Sequence, residues 1–269
     1  MNQSKFNRPS ISLVIPAYNE ERHLKACLDA VAAQTDMPYE VIVVDNNSTD
    51  KTAKIAGSYP FVRLVKESRQ GITFANEAGF KAATSELIGR IDADTILEAN
   101  WIAVAMKFLD TYPDVAAITG KCYFYDFPFR RTASALHASV YHHLQKWIAG
   151  TDILWGSNMI VRRQAWEVIR ADCHYGHGIN EDIDMSLQLR LHRLKVKRIM
   201  TLVANVSLRR GNLSPLSILG YLSVWPRNYW SNKLRIRGSI IELLTVLIFF
   251  LTLPLVAGYF LVNLCRQSQ

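Results

Sequence analysis

The chain has 269 residues, a net charge of +8 and a composition that is 49% hydrophobic. This length allows one large α/β domain or two small ones, and the absence of internal repeats and biased tracts excludes a repeat or low-complexity protein. The excess of basic residues indicates a polyanionic partner, either a phosphorylated substrate or an anionic membrane face. Nucleic acid is the least favoured partner, because the sequence has no long Lys/Arg block and no nucleic-acid-binding motif.

The cysteines and the N-terminus bear on the compartment. The four cysteines, Cys27, Cys122, Cys173 and Cys265, have no C-x-x-C spacing, which predicts a reduced protein without a disulfide framework. Residues 1–10 are polar and contain no apolar core, so they predict a polar tail rather than a signal peptide.

Strands and helices alternate along the first third of the chain. Four short apolar runs are typical of strands that are covered on both faces: Ile11–Ile15, Tyr39–Val44, Phe61–Val65 and Glu86–Ile91. Each run is followed by a segment in which apolar residues recur at helical spacing, and the connections are short. The pattern predicts an α/β fold, with a mainly parallel sheet and helices on both faces.

Polar clusters follow three of these strands. They are Ala17–Glu20, Asp45–Asn47 and Asp92–Asp94. Each cluster has a structural explanation as a turn or a helix cap. However, ligands of open α/β sheets bind beyond the carboxyl ends of the strands, and three clusters at such ends favour a binding site over three unrelated caps.

The pair Asp92 and Asp94 predicts a cation site. Side chains two residues apart in an extended chain point the same way, so these two carboxylates form a small anionic site. Its expected occupant is a hard divalent cation that substrate phosphates also bind. Alone, this D-x-D spacing is a weak signal, since isolated acids also cap helices.

The middle of the chain continues the α/β pattern. Predicted helices and strands alternate over Ile96–Leu109, Val115–Thr119, Ala133–Ile148, Met159–Val161, Gln164–Arg170 and Val196–Val203. The helix Ala133–Ile148 contains His137, His142 and His143, whose spacing does not demand a metal.

A second acidic cluster opens a helix after a glycine-containing loop, Asp172–Asn180. Glu181, Asp182 and Asp184 exceed what a helix N-terminus needs. A carboxylate crowded by other carboxylates has a raised pKa, which suits a general base. His174 and His177 are predicted to be loop residues rather than ligands. Downstream, Arg209 and Arg210 are either a clamp for phosphate oxygens or a basic surface that faces lipid.

The C-terminal end predicts a membrane anchor. Aromatic and basic residues over 212–238 favour an interfacial segment. Leu243–Leu264 carries no charge and would extend about 33 Å as a helix, so it predicts a transmembrane or re-entrant helix over 239–265. Three basic residues, Lys233, Arg235 and Arg237, precede it and only Arg266 follows, which predicts that the large N-terminal domain is cytoplasmic, at the inner cell membrane.

Together these motifs resemble the inverting family 2 glycosyltransferases of the GT-A fold. The matching segments are Val14–Glu20, Val43–Asp50, Gly71–Gly79, Asp92–Asp94 and Glu181–Asp182. The resemblance covers Ile11–Arg210 and implies a catalytic domain over 11–211.

The resemblance also implies roles for individual residues. The expected catalytic residues are Asp182, as the base that deprotonates an acceptor hydroxyl, and Glu181. Asp94 and Asp92 would hold Mg2+ or Mn2+. The expected nucleotide-sugar-binding residues are Pro16, Ala17, Tyr18, Glu20, Asp45, Asn47, Gly71, Asn76, Asp92, Ser157, Arg209 and Arg210. Donor selectivity is expected to depend on Tyr123–Phe129 and Trp155–Asn158.

The implied function is metal-dependent transfer of a single sugar from a nucleoside-diphosphate sugar to a hydroxyl. A single transfer is favoured because the Gln-x-x-Arg-Trp motif of processive members is absent downstream of Asp182. The predicted membrane location alone suggests a lipid, a glycolipid or a lipid-linked glycan as the acceptor.

Three alternatives remain open. A polyprenyl-phosphate sugar synthase shares the N-terminal motifs, but its acceptor is already ionised and needs no base such as Asp182. A non-catalytic membrane protein that binds sugar nucleotides would not need acids at every motif. A nucleotidyltransferase would have a glycine-rich loop with Lys or Arg at Ile11–Glu20, which is not evident.

Overall fold

The computed structural model describes residues 9–126, 142–176, 178–207, 224–244 and 246. Their strands are β1 (Ile11–Ala17), β2 (Glu40–Asp45), β3 (Val62–Lys66), β4 (Leu87–Arg90), β5 (Ile96–Leu97), β6 (Val115–Phe124), β7 (Met159–Arg162) and β8 (Lys195–Val206). The helices are α1 (Leu24–Ala32), α2 (Thr52–Ala56), α3 (Ile72–Ala82), α4 (Trp101–Thr111), α5 (His142–Ala149), α6 (Arg163–Ile169), α7 (Glu181–Leu191), α8 (224–231) and α9 (235–244).

The eight described strands form one mixed sheet in the order β3-β2-β1-β4-β7-β6-β8-β5. Strands β3, β2, β1 and β4 are mutually parallel, as the alternating sequence pattern predicts. Beyond β4 the sheet changes character, because β7 runs antiparallel to both β4 and β6. Strand β8 runs parallel to β6, and the short β5 runs antiparallel to β8. The sheet is therefore mixed, and among the described strands an uninterrupted run of parallel strands occurs only in β3-β2-β1-β4.

Helices cover both faces of the sheet, as predicted. Alternate residues of β1 point to opposite sides, so Leu13 and Ile15 join the core beneath α1 and α4. Val14 joins the core beneath α3 and α6. This two-sided burial explains why the strand reads as a continuous apolar run. Gly79 lets α3 approach closely, because a Cβ there would lie 2.3 Å from Cγ1 of Val14.

The predicted helix Ile96–Leu109 begins later than expected. Ile96 and Leu97 form the short strand β5 against Asn205 and Ala204 of β8, and α4 starts at Trp101. The sheet thus holds the chain one residue beyond Thr95, which follows the D-x-D acids, and the helical spacing of the segment does not reveal this.

The predicted C-terminal transmembrane helix is wrong for the part of this segment that the structure describes. Over residues 9–126, 142–176, 178–207, 224–244 and 246, no helix is both long enough and apolar enough to cross a membrane. Helix α9 carries Arg235, Arg237 and Glu242. Its Ile241 packs in a buried cluster with Tyr229, and Arg237 Nη1 donates to the carbonyl of Ile148 at 2.6 Å.

This packing corrects both the fold class, which included a membrane-spanning helix, and the membrane location derived from it. The C-terminal hydrophobicity predicts a lipid-facing segment, whereas the described start of this segment packs against Tyr229 and Ile148. Residues 245 and 247–269, which include most of the predicted span, lie outside the described residues.

Candidate functional site

Four loops meet at one edge of the sheet. Ala17, at the end of β1, is opposite Asp45, at the end of β2. Arg90, at the end of β4, is opposite Met159, the first residue of the antiparallel strand β7. The loops that follow β1, β2 and β4 and the loop that precedes β7 therefore share the same edge. The predicted polar clusters thus lie on adjacent strands.

The loops after β2 and β3 are held together by asparagines. Asn46 Nδ2 donates to the carbonyls of Glu67 and Arg69 at 2.9 and 2.7 Å. Its Oδ1 accepts from the N–H of Gly71 at 2.8 Å, where the backbone φ of 141° favours glycine. Asn47 Nδ2 donates to the carbonyl of Ser68 at 2.7 Å. These contacts assign Asn47 and Gly71 to the architecture of the loops.

The loop after β1 is anchored to the loop after β2. Asn19, with a positive φ of 53°, accepts from the N–H of Thr49 through Oδ1 at 2.8 Å. The N–H of Glu20 donates to Thr52 Oγ1 at 2.7 Å. The Glu20 residue is buried, whereas Tyr18 is 50% exposed. Among these loop residues, the ring of Tyr18 is available to contact a ligand.

The floor of this region is formed by the ends of two strands, with Pro16 and Ala17 in β1 and Asp45 in β2. Pro16 and Ala17 are the last two residues of β1 and are buried, and Asp45 is the last residue of β2. Oδ1 of Asp45 accepts from the N–H of Ser48 at 3.1 Å, and its side chain is largely enclosed. The turn that follows β2 therefore uses one oxygen of Asp45.

The D-x-D acids have distinct surroundings. Asp92 Oδ1 lies 2.8 Å from Nη2 of Arg90, and Asp92 Oδ2 accepts from Ser157 Oγ at 2.6 Å. Asp94 is buried, and its backbone carbonyl accepts from the hydroxyl of Tyr125 at 3.1 Å. The antiparallel course of β7 places Ser157 against Asp92, so the sheet reversal completes this part of the site.

The acids around Cys27 test whether a divalent cation fits. Burial raises the pKa of the Cys27 thiol, and the negative charges of Asp94, Asp92 and Glu20 raise it further. Three carboxylates thus contribute negative charge around this thiol, and Arg90 at 2.8 Å from Asp92 offsets part of it. Oxygen ligands of this kind suit Mg2+ or Mn2+.

Protein ligands alone do not complete a metal site in the described ranges. There, no group of three His, Cys, Asp or Glu side chains is placed to hold a metal ion. Asp92 and Asp94 would supply two carboxylates, and the remaining ligands would come from substrate phosphates and water, as is usual for Mg2+.

Glu181 and Asp182 begin helix α7 but have different partners. Asp182 accepts from two backbone N–H groups, those of Gly156 and Ile183, each at 2.8 Å. Burial and the adjacent charge of Glu181 raise the pKa of Asp182 to about 7. Glu181 Oε1 instead lies 3.1 Å from Nη2 of Arg90. Asp182 therefore has the properties of a proton acceptor, whereas Glu181 is held in an ion pair.

Asp184, the third acid of this cluster, has a structural role. It is buried, and Oδ2 accepts from the N–H of His174 at 2.8 Å. Oδ1 contacts Nδ1 of His174 and accepts from Asn232 Nδ2 at 2.7 Å. These bonds tie helix α7 to the loop that precedes it and to the turn that follows α8. His174 is thus a loop residue, as expected, and His177 lies outside the described residues.

Arg90 was not identified from the sequence. Its side chain is only 3% exposed, and Nη2 reaches both Asp92 and Glu181. Its Nε donates to Oδ1 of Asn76 at 3.4 Å, which places the expected site residue Asn76 at the same centre. A charged residue in a strand buried on both faces needs partners of opposite charge. That rule could have marked Arg90 in the run Glu86–Ile91.

Two expected site residues lie outside the described part of the chain. Arg209 and Arg210 belong to residues 208–223, and the selectivity region Tyr123–Phe129 is described only as far as Asp126. The other expected residues lie at or near the edge described above, and Asn76 and Ser157 contact Arg90 and Asp92, respectively.

Comparison with known proteins points to one family. The sequence pattern described as Glycosyl transferase family 2 matches residues 12–170, more than half of the chain. A hyaluronan synthase of Pasteurella multocida is 33% identical over 112 residues, which are 40% of this chain and 12% of that protein. An uncharacterized glycosyltransferase of Mycobacterium bovis is 36% identical over 128 residues, 48% of this chain and 52% of the relative. The chain therefore spans about half, or much less, of the curated relatives that it matches.

Solved structures share the fold at low identity. A mannosyltransferase from Pyrobaculum calidifontis, in complex with GDP-Man and Mn2+, aligns with a TM-score of 0.65 at 19% identity, covering 98% of this chain and 82% of the other. A glucosyl-3-phosphoglycerate synthase from Mycobacterium tuberculosis, in complex with phosphoglyceric acid, aligns with a TM-score of 0.61 at 19% identity, covering 81% and 80%. These similarities identify the sheet and helices as the GT-A glycosyltransferase architecture.

Proposed function

The chain belongs to glycosyl transferase family 2, and on this premise we propose that it moves one sugar from a nucleoside-diphosphate sugar to a hydroxyl of an acceptor, with inversion at the sugar carbon. The observation that carries the proposal is the setting of Asp182. Its carboxylate is oriented by two N–H groups, and its pKa is raised to about 7 by burial and by Glu181. Such a carboxylate suits deprotonation of a hydroxyl near neutral pH.

The proposed reaction is a direct displacement. The acceptor hydroxyl gives its proton to Asp182, its oxygen forms a bond to the sugar carbon, and the bond from that carbon to the diphosphate oxygen breaks. Attack from the face opposite the leaving group inverts the configuration. In this proposal Asp182 acts on the acceptor hydroxyl and the Asp92–Asp94 segment acts on the leaving diphosphate.

Asp94 and Asp92 would hold the divalent cation. When bound, such a cation neutralises the charge that develops on the leaving nucleoside diphosphate. Asp92 is already oriented by Arg90 and Ser157, so little side-chain freedom is lost on binding. This preorganisation favours a cation site that is completed when the phosphates of the donor bind.

The proposed donor site lies beside the loops after β1 and β2. The exposed ring of Tyr18 would pack against the nucleoside of the donor, and Asp45 would accept hydrogen bonds from the nucleobase. The mannosyltransferase with the similar fold binds GDP-Man with Mn2+, and a similar structure of Staphylococcus aureus TarS contains UDP-GlcNAc. Both support a nucleotide-sugar donor. The lipid-linked acceptor expected from the sequence depended on the membrane helix, and we propose only a hydroxyl acceptor.

The pH dependence of turnover is the first prediction. We expect kcat/KM to rise with pH through about 7 and then to level off. Asp182 can accept a proton only in its ionised form, and the raised pKa leaves it protonated below that range. Steady-state rates from pH 5 to pH 9, measured with a saturating cation, check this expectation. A rate that is flat over this interval would contradict the assigned base.

A donor screen tests the proposed function itself. Purified protein is incubated with Mn2+ and with UDP-, GDP- or dTDP-sugars, and both the thermal unfolding midpoint and the release of nucleoside diphosphate are measured. We expect stabilisation by one nucleotide class that requires the cation, because a ligand bound only by the native state raises its stability. The absence of both stabilisation and release with every donor would sink the proposal.

A further inference from the structure

Arg90 is a buried cation at the centre of the site. It ends strand β4, and its side chain is 3% exposed. One nitrogen, Nη2, lies 2.8 Å from Oδ1 of Asp92 and 3.1 Å from Oε1 of Glu181. The guanidinium therefore joins a residue of the expected donor side to a residue of the base side.

The surroundings hold this guanidinium in place. A Cβ at Gly156 would lie 1.7 Å from Nη1 of Arg90, so the glycine leaves the space that the guanidinium fills. Nε donates to Oδ1 of Asn76, a buried side chain on α3. The N–H of the same Gly156 donates to Asp182, so one short loop contacts both Arg90 and the base.

The charges around Asp182 come from several elements. Burial raises the pKa of Asp182 most, the charge of Glu181 on α7 raises it further, and Arg90 on β4 lowers it. Arg90 in turn contacts Asp92 and Glu181, and the negative charges of Asp182 and Asp94 also act on it. A purely structural ion pair is the simpler explanation of a buried arginine. That explanation does not require one nitrogen to span two functional segments, and buried ion pairs commonly contribute little net stability.

We propose that Arg90 is a positioning residue that links the Asp92 carboxylate to Glu181 and thereby fixes the position of the Asp182 carboxylate relative to the donor. The inference rests on the proposed function, because this position matters only if donor and acceptor react. Arg90 holds Oε1 of Glu181 in an ion pair at 3.1 Å, directly beside Asp182 in the chain. Arginine reaches both carboxylates through Nη2 while its Nε donates to Asn76, whereas a lysine would keep the charge but lose the second donor nitrogen.

The experiment compares four variants with the wild-type protein. Arg90→Met removes the charge, Arg90→Lys keeps it without the second donor nitrogen, and Gly156→Ala displaces the guanidinium while leaving it in the chain. The matched control is Arg63→Met. Arg63 pairs with Glu40 at 3.2 Å and is half exposed near the start of β3, at the opposite edge of the sheet.

Two readouts separate positioning from general stability. The first is the kcat and donor KM as functions of pH. The second does not depend on turnover: the carboxyl of Asp182 is titrated by carbon-13 NMR of protein labelled at aspartate Cγ, with its signal identified by its loss in Asp182→Asn. Thermal unfolding shows which variants are folded.

For Arg90→Met we expect kcat to fall about 100-fold, since misplacement of a reacting group by about 1 Å has an effect of this size. Donor KM should change much less. The midpoint of the Asp182 titration and the acidic limb of the pH–rate profile should both move to a pH about one unit higher, because a nearby positive charge is lost. Arg90→Lys should keep the titration close to that of the wild type yet lower kcat, and Gly156→Ala should also lower kcat. Arg63→Met should leave both kcat and the Asp182 titration unchanged.

The outcomes separate this inference from the proposed function. An unchanged kcat and an unchanged Asp182 titration in folded Arg90→Met would overturn the role of Arg90 while transfer by the wild type stood. An equal loss of kcat in Arg63→Met would also overturn it, by revealing a general stability effect. If the wild type turned over no donor, the proposed function would fail, and an unshifted Asp182 titration would then reject the link as well. If Arg90→Met did not fold, the Arg90→Lys and Gly156→Ala variants would decide between positioning and no role.

Discussion

Replacement of Asp182 by asparagine is expected to lower kcat by about a thousandfold, within the range for loss of a general base. The amide cannot accept the proton of a hydroxyl, although it is nearly the same size as the carboxylate and can still accept one of the two backbone hydrogen bonds. The donor should therefore still bind. The measurement is the rate of sugar transfer at saturating donor, together with the donor affinity from thermal unfolding.

Two companion variants sharpen this expectation. Glu181→Gln should lose less activity than Asp182→Asn, because Glu181 is already paired with Arg90. Asp110→Asn, a change at an exposed position of α4, should match the wild type. Near wild-type activity in Asp182→Asn would indicate an acceptor that is already ionised, such as a phosphate. A larger loss in Glu181→Gln would reverse the roles of the two acids.

Replacement of Asp94 by asparagine is expected to lower turnover by about a hundredfold or more and to abolish the stabilisation by donor that depends on Mn2+. Asp94 is one of the acids that surround Cys27 with negative charge, and an amide is a much weaker ligand for a hard cation. The two measurements are the release of nucleoside diphosphate and the shift of the unfolding midpoint, each with Mn2+ and with a chelator.

The cation itself provides the control for this variant. In the chelator, the wild type and Asp94→Asn should behave alike, since the difference between them depends on the bound ion. Asp110→Asn should retain the full response to Mn2+. A wild-type protein whose activity is indifferent to chelation would contradict the expected cation, and Asp94 would then have another role in binding the donor.

The sequence alone determined the N-terminal half of the sheet. The continuous apolar runs at Ile11–Ile15 and Tyr39–Val44 indicate strands covered on both faces, and they correspond to β1 and β2. Local pattern is sufficient there, because each strand is followed at once by its own helix. The same logic brought Ala17 and Asp45 to the same edge, since parallel neighbours end together.

The sequence was insufficient where contacts join distant parts of the chain. The reversal of β7, which places Ser157 against Asp92, depends on a pairing between residues about 70 positions apart and has no local signature. The apolar C-terminus was assigned to a membrane because hydropathy does not distinguish lipid from protein as the covering surface. In the structure, Ile241 of α9 packs against the domain.

The residue types of the site could be predicted from the sequence, whereas their division of labour could not. The acids Asp92, Asp94, Glu181 and Asp182 are recognisable from spacing and from resemblance to a family. Only the tertiary structure shows that Arg90 lies between them, pairs with Glu181 and leaves Asp182 with a pKa raised to about 7. The physical reason is that a pKa depends on burial and on nearby charges and hydrogen bonds. For Asp182 these come from three separate segments: the end of β4, the loop before β7 and the start of α7.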